Sequence, residues 1–216
     1  MGKITALRTG KGRSHWVRIY LDGEFAFSLD SEVVTREGLQ TEQSLSAERV
    51  EVLVESDQHQ RCLSAATRYL SYRPRSESEL RDRLRRRGFD AETMEPVISR
   101  LKEQGLVDDA AFARYWAENR ESFSPRSRWL TRVELRQKGI TDDIIAKAVN
   151  VIDDEASAYK AALSKVHSLR QLDYEDFRRR LGEYLKQRGF SYGVLSHAVE
   201  QVWRDQKGGD SKPEAE

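Results

Sequence analysis

The chain has 216 residues, 34% of them charged, and this length allows one or two ordinary domains. A single cysteine, Cys62, excludes an intrachain disulfide, and no run of about 18 apolar residues predicts a membrane span. The N-terminus also lacks the apolar core of a signal peptide. We therefore expect a cytoplasmic protein, and the absence of a coiled-coil seam predicts a monomer.

Charge is unevenly distributed along the chain, although 37 Lys and Arg almost balance 36 Asp and Glu. Residues 1–20 contain five basic residues and no acid, whereas residues 21–57 contain ten acids and two arginines. A basic segment suits a polyanionic partner, and an acidic neighbour repels one. The net charge of +1 therefore does not decide whether the partner is a nucleic acid.

Residues 1–45 are predicted to form a small β element, a hairpin or three strands, followed by a short helix. Two runs alternate apolar with other residues, namely Val17, Ile19 and Leu21, then Phe25, Phe27 and Leu29. The Asp22-Gly23 pair between them is typical of a hairpin turn, and residues 4–8 are a candidate third strand. The segment Gly-Lys-Gly-Arg-Ser at residues 10–14 lacks the spacing of a phosphate-binding loop and is predicted to connect strands.

A motif that recurs after 51 and then 50 residues marks three repeats. Each copy has a leucine four residues before a glycine and a large apolar residue directly after it. The copies are Leu84, Gly88 and Phe89; Leu135, Gly139 and Ile140; and Leu185, Gly189 and Phe190. Glycine just past a helix end adopts the left-handed conformation that closes the helix, and the next residue then packs on that leucine. The motif therefore predicts three Schellman caps.

Apolar residues at helical spacing lie on both sides of each cap, which predicts a mainly α chain with three tandem three-helix repeats. Asp90, Thr141 and Ser191 are the expected N-caps of the helices that follow the caps. The predicted boundaries are a leading helix and first repeat at 46–107, a second repeat at 108–152, a third at 153–206 and a disordered tail at 207–216. Because one such unit can hardly bury its own apolar face, the repeats are expected to stack into an elongated array.

Three linked blocks lie within residues 60–150. They are YLSYRPRSESEL at 69–80, LKEQGLVDDAAFA at 101–113 and ELRQKGI at 134–140, with Gly88-Phe89 between the first two. Together they resemble the RecX family. The third repeat and the N-terminal strands resemble the family more loosely. One departure is the stretch Ser-Arg-Trp-Leu-Thr at 127–131, where the family often has glycine and an Ile-containing run. We therefore expect the entry to that helix, and its contact surface, to differ from those of the family.

The resemblance implies a regulator of the RecA recombinase that has no enzymatic activity and no cofactor. Members of the family are understood to bind along the deep groove of the RecA–DNA filament, to inhibit the recombinase and to favour filament disassembly. The implied partners are therefore the RecA filament and DNA, single- or double-stranded, contacted directly or through the filament. An elongated array of repeats suits such a helical polymer.

Basic residues recur at the same place in each repeat. Arg85, Arg136 and Lys186 are equivalent and are predicted to face outward, so that they form a basic ladder along the array. Basic residues also recur two positions further on, and their place in the last helical turn explains them, because cations there offset the helix dipole. The same dipole is the alternative explanation for the ladder.

Other arginines lie where a helix dipole disfavours a cation. Arg73, Arg75, Arg126 and Arg128 are near predicted helix starts, so contacts to an anionic partner, either DNA phosphate or an acidic filament surface, explain them better. The predicted filament- or DNA-binding residues are Arg73, Arg75, Arg85, Arg126, Arg128, Arg132, Arg136 and Lys186. Trp129 and Tyr72 lie beside them, where stacking on a base is possible but packing between repeats is favoured.

Two further interpretations stay open. The main alternative is a helical-repeat protein whose chief ligand is DNA or RNA itself, supported by the basic clusters and weakened by the near-neutral charge. A hydrolase that uses Asp108 and Asp109 is the other, but Asp108 is better explained as a helix N-cap, and the four histidines show no metal-binding spacing. Ser76 with Glu79 has the spacing of a capping box, which is a structural role.

Overall fold

The computed structural model describes residues 1–9 and 15–209 of the chain. Its contacts divide the chain into two units, Met1–Val107 and Asp108–Glu216, which are described in turn. The turn predicted at residues 10–14 lies outside the described residues.

The first unit begins with a four-stranded antiparallel sheet. The strands are β1 (Gly2–Thr9), β2 (Trp16–Leu21), β3 (Glu24–Asp30) and β4 (Ser44–Leu45), in the order β3-β2-β1-β4. Helix α1 (Ser31–Arg36) lies between β3 and β4 in the sequence. Asp22 and Gly23 form the turn that connects β2 to β3, with φ of 50° and 91°, which confirms the predicted hairpin. The third strand is confirmed as well. The structure adds β4, whose two residues are too few to show an alternating pattern.

Helix α2 (Ala47–Leu70) runs from the sheet into the helical part of the first unit. The Ser46 hydroxyl caps its start by accepting the Arg49 N–H. Leu53 packs in the core of the sheet, whereas Cys62 and Ala66 pack in the next core along the helix. The predicted leading helix and the first helix of the first repeat are therefore one continuous helix.

Two more helices complete the first unit, α3 (Glu77–Arg85) and α4 (Ala91–Glu103). With the C-terminal half of α2 they enclose a core of buried side chains, which includes Leu80, Leu84, Met94, Ile98 and Leu101. The core residues of α4 recur at three- and four-residue intervals, as expected for one apolar face of a helix.

The second unit consists of six α-helices and one short 3₁₀ turn within the described residues. They are α5 (Asp109–Phe123), α6 (Arg128–Gln137), α7 (Asp142–Val149), α8 (Asp154–Val166), the turn His167–Leu169, α9 (Tyr174–Gln187) and α10 (Tyr192–Gly209). Helices α5 to α7 surround one core, centred on Phe112 and Leu135, and α8 to α10 surround another, centred on Phe177 and Leu181. The predicted tail at 207–216 overlaps the end of α10 and otherwise lies outside the described residues.

The three predicted Schellman caps are confirmed. The N–H groups of Phe89, Ile140 and Phe190 donate to the carbonyls of Leu84, Leu135 and Leu185 over 3.3, 3.1 and 3.3 Å. The glycines Gly88, Gly139 and Gly189 have φ of 88°, 77° and 85°. Two further caps of the same kind close α1 and α4. The Leu39 N–H donates to the Val34 carbonyl over 3.1 Å with Gly38 at φ of 60°, and the Leu106 N–H donates to the Leu101 carbonyl over 2.9 Å with Gly105 at φ of 69°. Both fall outside the 50-residue period, so the repeat does not predict them.

Side-chain hydrogen bonds confirm three of the predicted N-caps, whereas Ser191 stays a prediction. Ser76, Asp90 and Asp108 each accept backbone N–H groups at the starts of α3, α4 and α5. Thr141 occupies the N-cap position of α7, as predicted, but its side chain makes no cap hydrogen bond. Its hydroxyl donates instead to the Asp143 carboxylate, a stronger acceptor than a backbone group.

Candidate functional site

The basic ladder (Arg85, Arg136 and Lys186) lies in the last turns of α3, α6 and α9, and all three side chains are exposed. The Arg85 guanidinium donates to Asp82 over 2.8 Å, and the Arg136 Nε donates to Asp142 over 2.8 Å. The bond to Asp142 raises the pKa of Arg136. Because solvent and salt screen exposed ion pairs of this kind, they contribute little to stability, and a partner with a stronger acceptor can replace them.

Arg73 and Arg75, at the start of α3, both have partners within the chain. Arg73 binds the Glu79 carboxylate through both terminal nitrogens, at 3.2 and 3.1 Å. The Arg75 guanidinium lies 4.2 Å from the centre of the Tyr69 ring. These contacts stabilise the turn before α3, and they give the two arginines a structural role that the sequence argument did not consider.

Arg126 belongs to a group of side chains around one buried carboxylate, which we name the Glu134 cluster (Glu134, Trp116, Arg120 and Arg126). Glu134 is only 8% exposed, and it accepts hydrogen bonds from Trp116 Nε1 and Arg120 Nε, both over 2.8 Å, and from Arg126. Burial lowers the pKa of Arg126, and the nearby charges of Arg120 and Arg188 lower it further. The cluster and Arg188 thus place three guanidinium groups near a single carboxylate.

Arg188 brings the turn between α9 and α10 against this cluster. Its carbonyl accepts the Ser127 N–H over 3.0 Å, and its guanidinium lies 4.3 Å from the centre of the Tyr184 ring. The Nε atoms of Arg126 and Arg188 are buried and have no hydrogen-bond partner among the described residues. Lys138, which is equivalent to Arg188 in the repeat, lies 5.0 Å from the centre of the Trp116 ring. Contact with an aromatic face thus adds to the dipole explanation for these two residues.

Arg128 and Arg132 lie on α6 and differ in their surroundings. Arg128 donates from Nε and a terminal nitrogen to the Ile152 carbonyl, over 3.2 and 2.6 Å, and its backbone N–H donates to Asp154. Arg132 is half-buried and has no ion pair within the part of the chain that the structure describes. Trp129, also on α6, is 63% exposed.

The predicted site residues thus fall into two groups. The four at helix starts bind a carboxylate, a carbonyl or an aromatic ring within the chain, whereas Arg85 and Arg136 of the basic ladder make only exposed ion pairs. Lys186 is exposed and Arg132 is half-buried. Sequence analysis missed Glu134 and Arg120. The signal that could have led to them is the tripeptide Pro-Arg-Ser, which precedes both α3 and α6 at 74–76 and 125–127 and places an arginine at each corner.

No group of three or more His, Cys, Asp or Glu within residues 1–9 and 15–209 could hold a metal ion. The Asp108 carboxylate accepts the N–H groups of Ala110 and Ala111 over 2.8 and 2.9 Å, which confirms its capping role. Burial raises the pKa of the Cys62 thiol to about 11. In the described residues, every helix is too short or too polar to cross a bilayer.

Family profiles match three stretches of the chain, which together span more than half of it. The profile of the regulatory protein RecX N-terminal domain matches residues 2–46. The profiles of the first and second three-helix domains of RecX match residues 62–101 and 108–149. The third helical triplet lies beyond these matches.

Individual relatives extend the similarity to most of the chain. The regulatory protein RecX of Clostridium botulinum strain Eklund 17B is 28% identical over 207 residues, which cover 94% of this chain and 97% of the relative. That of Prosthecochloris aestuarii is 37% identical over 142 residues, covering 66% and 93%. A crystal structure of regulatory protein RecX superposes with a TM-score of 0.65 at 27% identity, covering 93% of this chain and all of the other. RecX from Lactobacillus salivarius, at 22% identity and a TM-score of 0.57, covers 68% of this chain and 97% of its own and shows a likeness of fold.

Proposed function

Because this chain belongs to the RecX family of regulatory proteins, we propose that it binds the RecA–DNA filament and restrains the recombinase. The name of the family identifies a regulator, and the resemblance of the sequence implies RecA as its target. The proposal includes direct or filament-mediated contact with DNA and a location in the cytoplasm, where the filament forms. Catalysis of its own is not part of the proposal.

The observation that carries the proposal is the basic ladder (Arg85, Arg136 and Lys186). Three successive helical triplets present a cation in the last turn of the middle helix, and each of these cations is exposed. A filament repeats one surface at regular intervals, so a protein that repeats one cationic feature is suited to contact several of its subunits. Complementary charge also speeds association and fixes the register of binding.

The proposed mechanism is obstruction. A protein that bridges successive RecA subunits in the filament groove occupies the space that strand exchange needs and interferes with filament growth. ATP hydrolysis in the complex belongs to RecA, and this protein only modulates it. Two exposed ion pairs, Arg85 with Asp82 and Arg136 with Asp142, would exchange for acceptors on the filament.

The second candidate function is direct binding of DNA or RNA. It is favoured by the excess of guanidinium groups at the Glu134 cluster and by the exposed Trp129 on the same helix as Glu134. Measurements of affinity against salt concentration separate the two candidates, since neutralisation of nucleic-acid phosphates gives a steep logarithmic slope.

The test follows RecA-dependent ATP hydrolysis on single-stranded DNA, with this protein added below the RecA concentration. The variant Arg85→Glu, Arg136→Glu, Lys186→Glu removes the basic ladder. A matched control, Arg100→Glu, Lys147→Glu, Arg180→Glu, changes three exposed cations by the same total charge, again with one in each helical triplet. Circular dichroism first establishes that all variants remain helical.

We expect inhibition by the wild-type protein and by the control variant, and its loss in the ladder variant. Equal inhibition by all three proteins would retain the filament as target and discard the ladder as its binding surface. Absence of inhibition by folded wild-type protein, with RecA from the same organism, would overturn the proposal and leave direct nucleic-acid binding as the better candidate.

A further inference from the structure

A cavity of about 450 Å³ lies in the first unit, where the N-terminal sheet, α2 and the turn between α3 and α4 meet. Strand β2 contributes Trp16, its first residue, and the turn contributes Phe89, the residue that completes the first Schellman cap. Helix α2 supplies one wall, and His15 and Asp30 complete the lining. Pockets of about 300–1,000 Å³ are typical of small-molecule sites, so the cavity has the size of a binding site rather than of a packing defect.

Three arginines make one part of this cavity strongly cationic. Arg61 and Arg68 lie on one face of α2, and Arg87 lies just after the end of α3. Arg68 and Arg87 are exposed and have no ion pair among the described residues. Asp30 is the one carboxylate among the described lining residues, and its side chain already caps α1 by accepting the Glu32 N–H over 2.9 Å. The cavity therefore carries a surplus of positive charge.

The other part of the cavity is aromatic. The Arg61 guanidinium lies 4.8 Å from the centre of the Trp16 ring, and the indole is 37% exposed. The buried Asp57 carboxylate lies 4.0 Å from a terminal nitrogen of Arg61, and it also accepts the Asp30 N–H over 2.6 Å. The Asp57 carboxylate thus attracts the guanidinium that lies over the indole. The exposed indole with this guanidinium is a platform on which a nucleic-acid base can stack.

We propose that this cavity binds one nucleotide of a single-stranded nucleic acid. Its base stacks on the pair formed by Trp16 and Arg61, and Arg68 and Arg87 bind its phosphates. The combination of a stacking platform with free guanidinium groups is what single-strand binding sites use, because every base has a flat face and every nucleotide a charged phosphate. An acidic peptide would use the cations but would leave the platform unoccupied.

This inference rests on the direct nucleic-acid contact included in the proposed function and deepens it by naming a cavity and the single-stranded form of the ligand. Because binding of the strand is measured without RecA, a failure here leaves the inhibition test untouched. A free nucleotide has the same chemistry as one unit of a strand, so the test must separate these sources. The N-terminal sheet gains a role in ligand binding, since it contributes the indole of the platform.

The probe is a fluorescent oligothymidylate of about 16 nucleotides, the upper end of usual site sizes, and the readout is its fluorescence anisotropy. The phosphate variant is Arg68→Ala with Arg87→Ala. Its matched control is Arg100→Ala with Arg114→Ala, two exposed arginines outside the cavity. The stacking variants of the protein are Trp16→Leu and Trp16→Phe. Their affinity is measured for the oligothymidylate and for an abasic strand of equal length. Circular dichroism and slow labelling of the buried Cys62 thiol by a thiol reagent would establish that each variant is folded.

We expect the phosphate variant to lower the slope of log affinity against log salt by about 1.4, as for two lost phosphate contacts on a single strand. The control should leave this slope unchanged. Trp16→Leu should weaken binding of the oligothymidylate about fivefold or more and leave binding of the abasic strand unchanged, whereas Trp16→Phe should retain most of the affinity.

Equal effects of the phosphate variant and its control would overturn the proposal, because binding would then depend on total charge alone. Equal losses by Trp16→Leu on the normal and the abasic strand would overturn the placement of the base. Competition by thymidine monophosphate, added at the same concentration of nucleotides as the strand contains, would overturn the strand as the ligand, because a free nucleotide would then fill the cavity. Lack of such competition, with the variant pattern intact, would support the strand.

Discussion

The tripeptide Pro-Arg-Ser at 74–76 and its copy at 125–127 begin equivalent helices in different surroundings. In the first copy, Arg75 stacks on Tyr69, a neighbour on the preceding helix. In the second, Arg126 binds the buried Glu134, and the Ser127 N–H donates to the carbonyl of Arg188 in the turn between α9 and α10. The second corner is thus built into a contact between two helical triplets of the second unit.

The glycine turns show the same contrast. Gly88 and Gly189 close their helices with nearly identical φ of 88° and 85°. A methyl group built on Gly88 would meet no atom within 4 Å, whereas one on Gly189 would lie 2.6 Å from Ser127 Oγ and 2.7 Å from Leu130 Cβ. A repeated sequence motif therefore specifies a backbone conformation, while the packing around each copy decides how much change it tolerates.

The largest expected effect is that of Gly189→Ala. A positive φ costs an alanine about 1–2 kcal/mol, and the crowding against Ser127 and Leu130 adds about 1–3 kcal/mol. We expect a loss of about 2–5 kcal/mol in the free energy of unfolding, measured by urea denaturation followed by circular dichroism. Gly88→Ala is the control and should cost only the backbone term, about 1–2 kcal/mol. Equal losses in the two variants would show that the contact with Ser127 contributes nothing.

A smaller loss is expected from Glu134→Gln. The substitution leaves Arg120 and Arg126 half-buried without a carboxylate, and breaking such a pair costs about 2–4 kcal/mol when its partners are partly exposed. Glu79→Gln is the matched variant in the first unit, where one arginine, Arg73, faces the carboxylate. It should cost about 1–2 kcal/mol. The comparison between corners would fail if Glu79→Gln destabilised the protein as strongly as Glu134→Gln.

Arg128→Ala should have a modest effect. It removes two hydrogen bonds to the Ile152 carbonyl at the end of the second triplet, and the residue at the equivalent position of the first is Glu77. Bonds from a charged donor to a carbonyl contribute about 1.5–3 kcal/mol when buried, and the exposure of Arg128 reduces the expected cost to about 1 kcal/mol. Thermal unfolding would measure it, with Arg128→Lys testing whether one donor suffices. An unchanged midpoint in Arg128→Ala would rule out the contribution.

The smallest expected effect concerns Cys62, which reports on the first unit. Its thiol is fully buried with a pKa raised to about 11, so at about pH 8 little thiolate is present and a thiol reagent should label the native protein very slowly. Gly189→Ala disturbs the second unit, and we expect no change in the labelling rate of Cys62. Faster labelling in that variant would show that the damage spreads to the first unit.

The sequence alone predicts the features that depend on near neighbours. The Schellman caps at Gly88, Gly139 and Gly189 follow from a rule that involves six residues, and the hairpin at Asp22-Gly23 follows from one that involves two. Strand β4 escaped prediction because its two residues have no pattern of their own and are defined by pairing with Gly2 and Lys3. A feature is therefore predicted when the residues that determine it are close together in the sequence, and it is missed when they are far apart.

The candidate site was harder to predict from the sequence for the same reason. Glu134 collects donors that lie 18, 14 and 8 residues away, and no spacing rule joins them. Arginines at helix starts were predicted to bind an anionic partner, because the helix dipole disfavours a cation there and no acceptor for them could be identified from sequence spacing. Their acceptors, such as the Ile152 carbonyl for Arg128, become visible only in three dimensions.

The length of α2 has a mechanical consequence. At 1.5 Å per residue its 24 residues span about 36 Å, and no proline interrupts them. One end is fixed in the sheet through Leu53 and the other in the first helical core through Cys62 and Ala66. The helix is therefore expected to transmit rotation from one of its ends to the other. A torque that a ligand exerts on the sheet would turn the first helical triplet as well, with no hinge to absorb it.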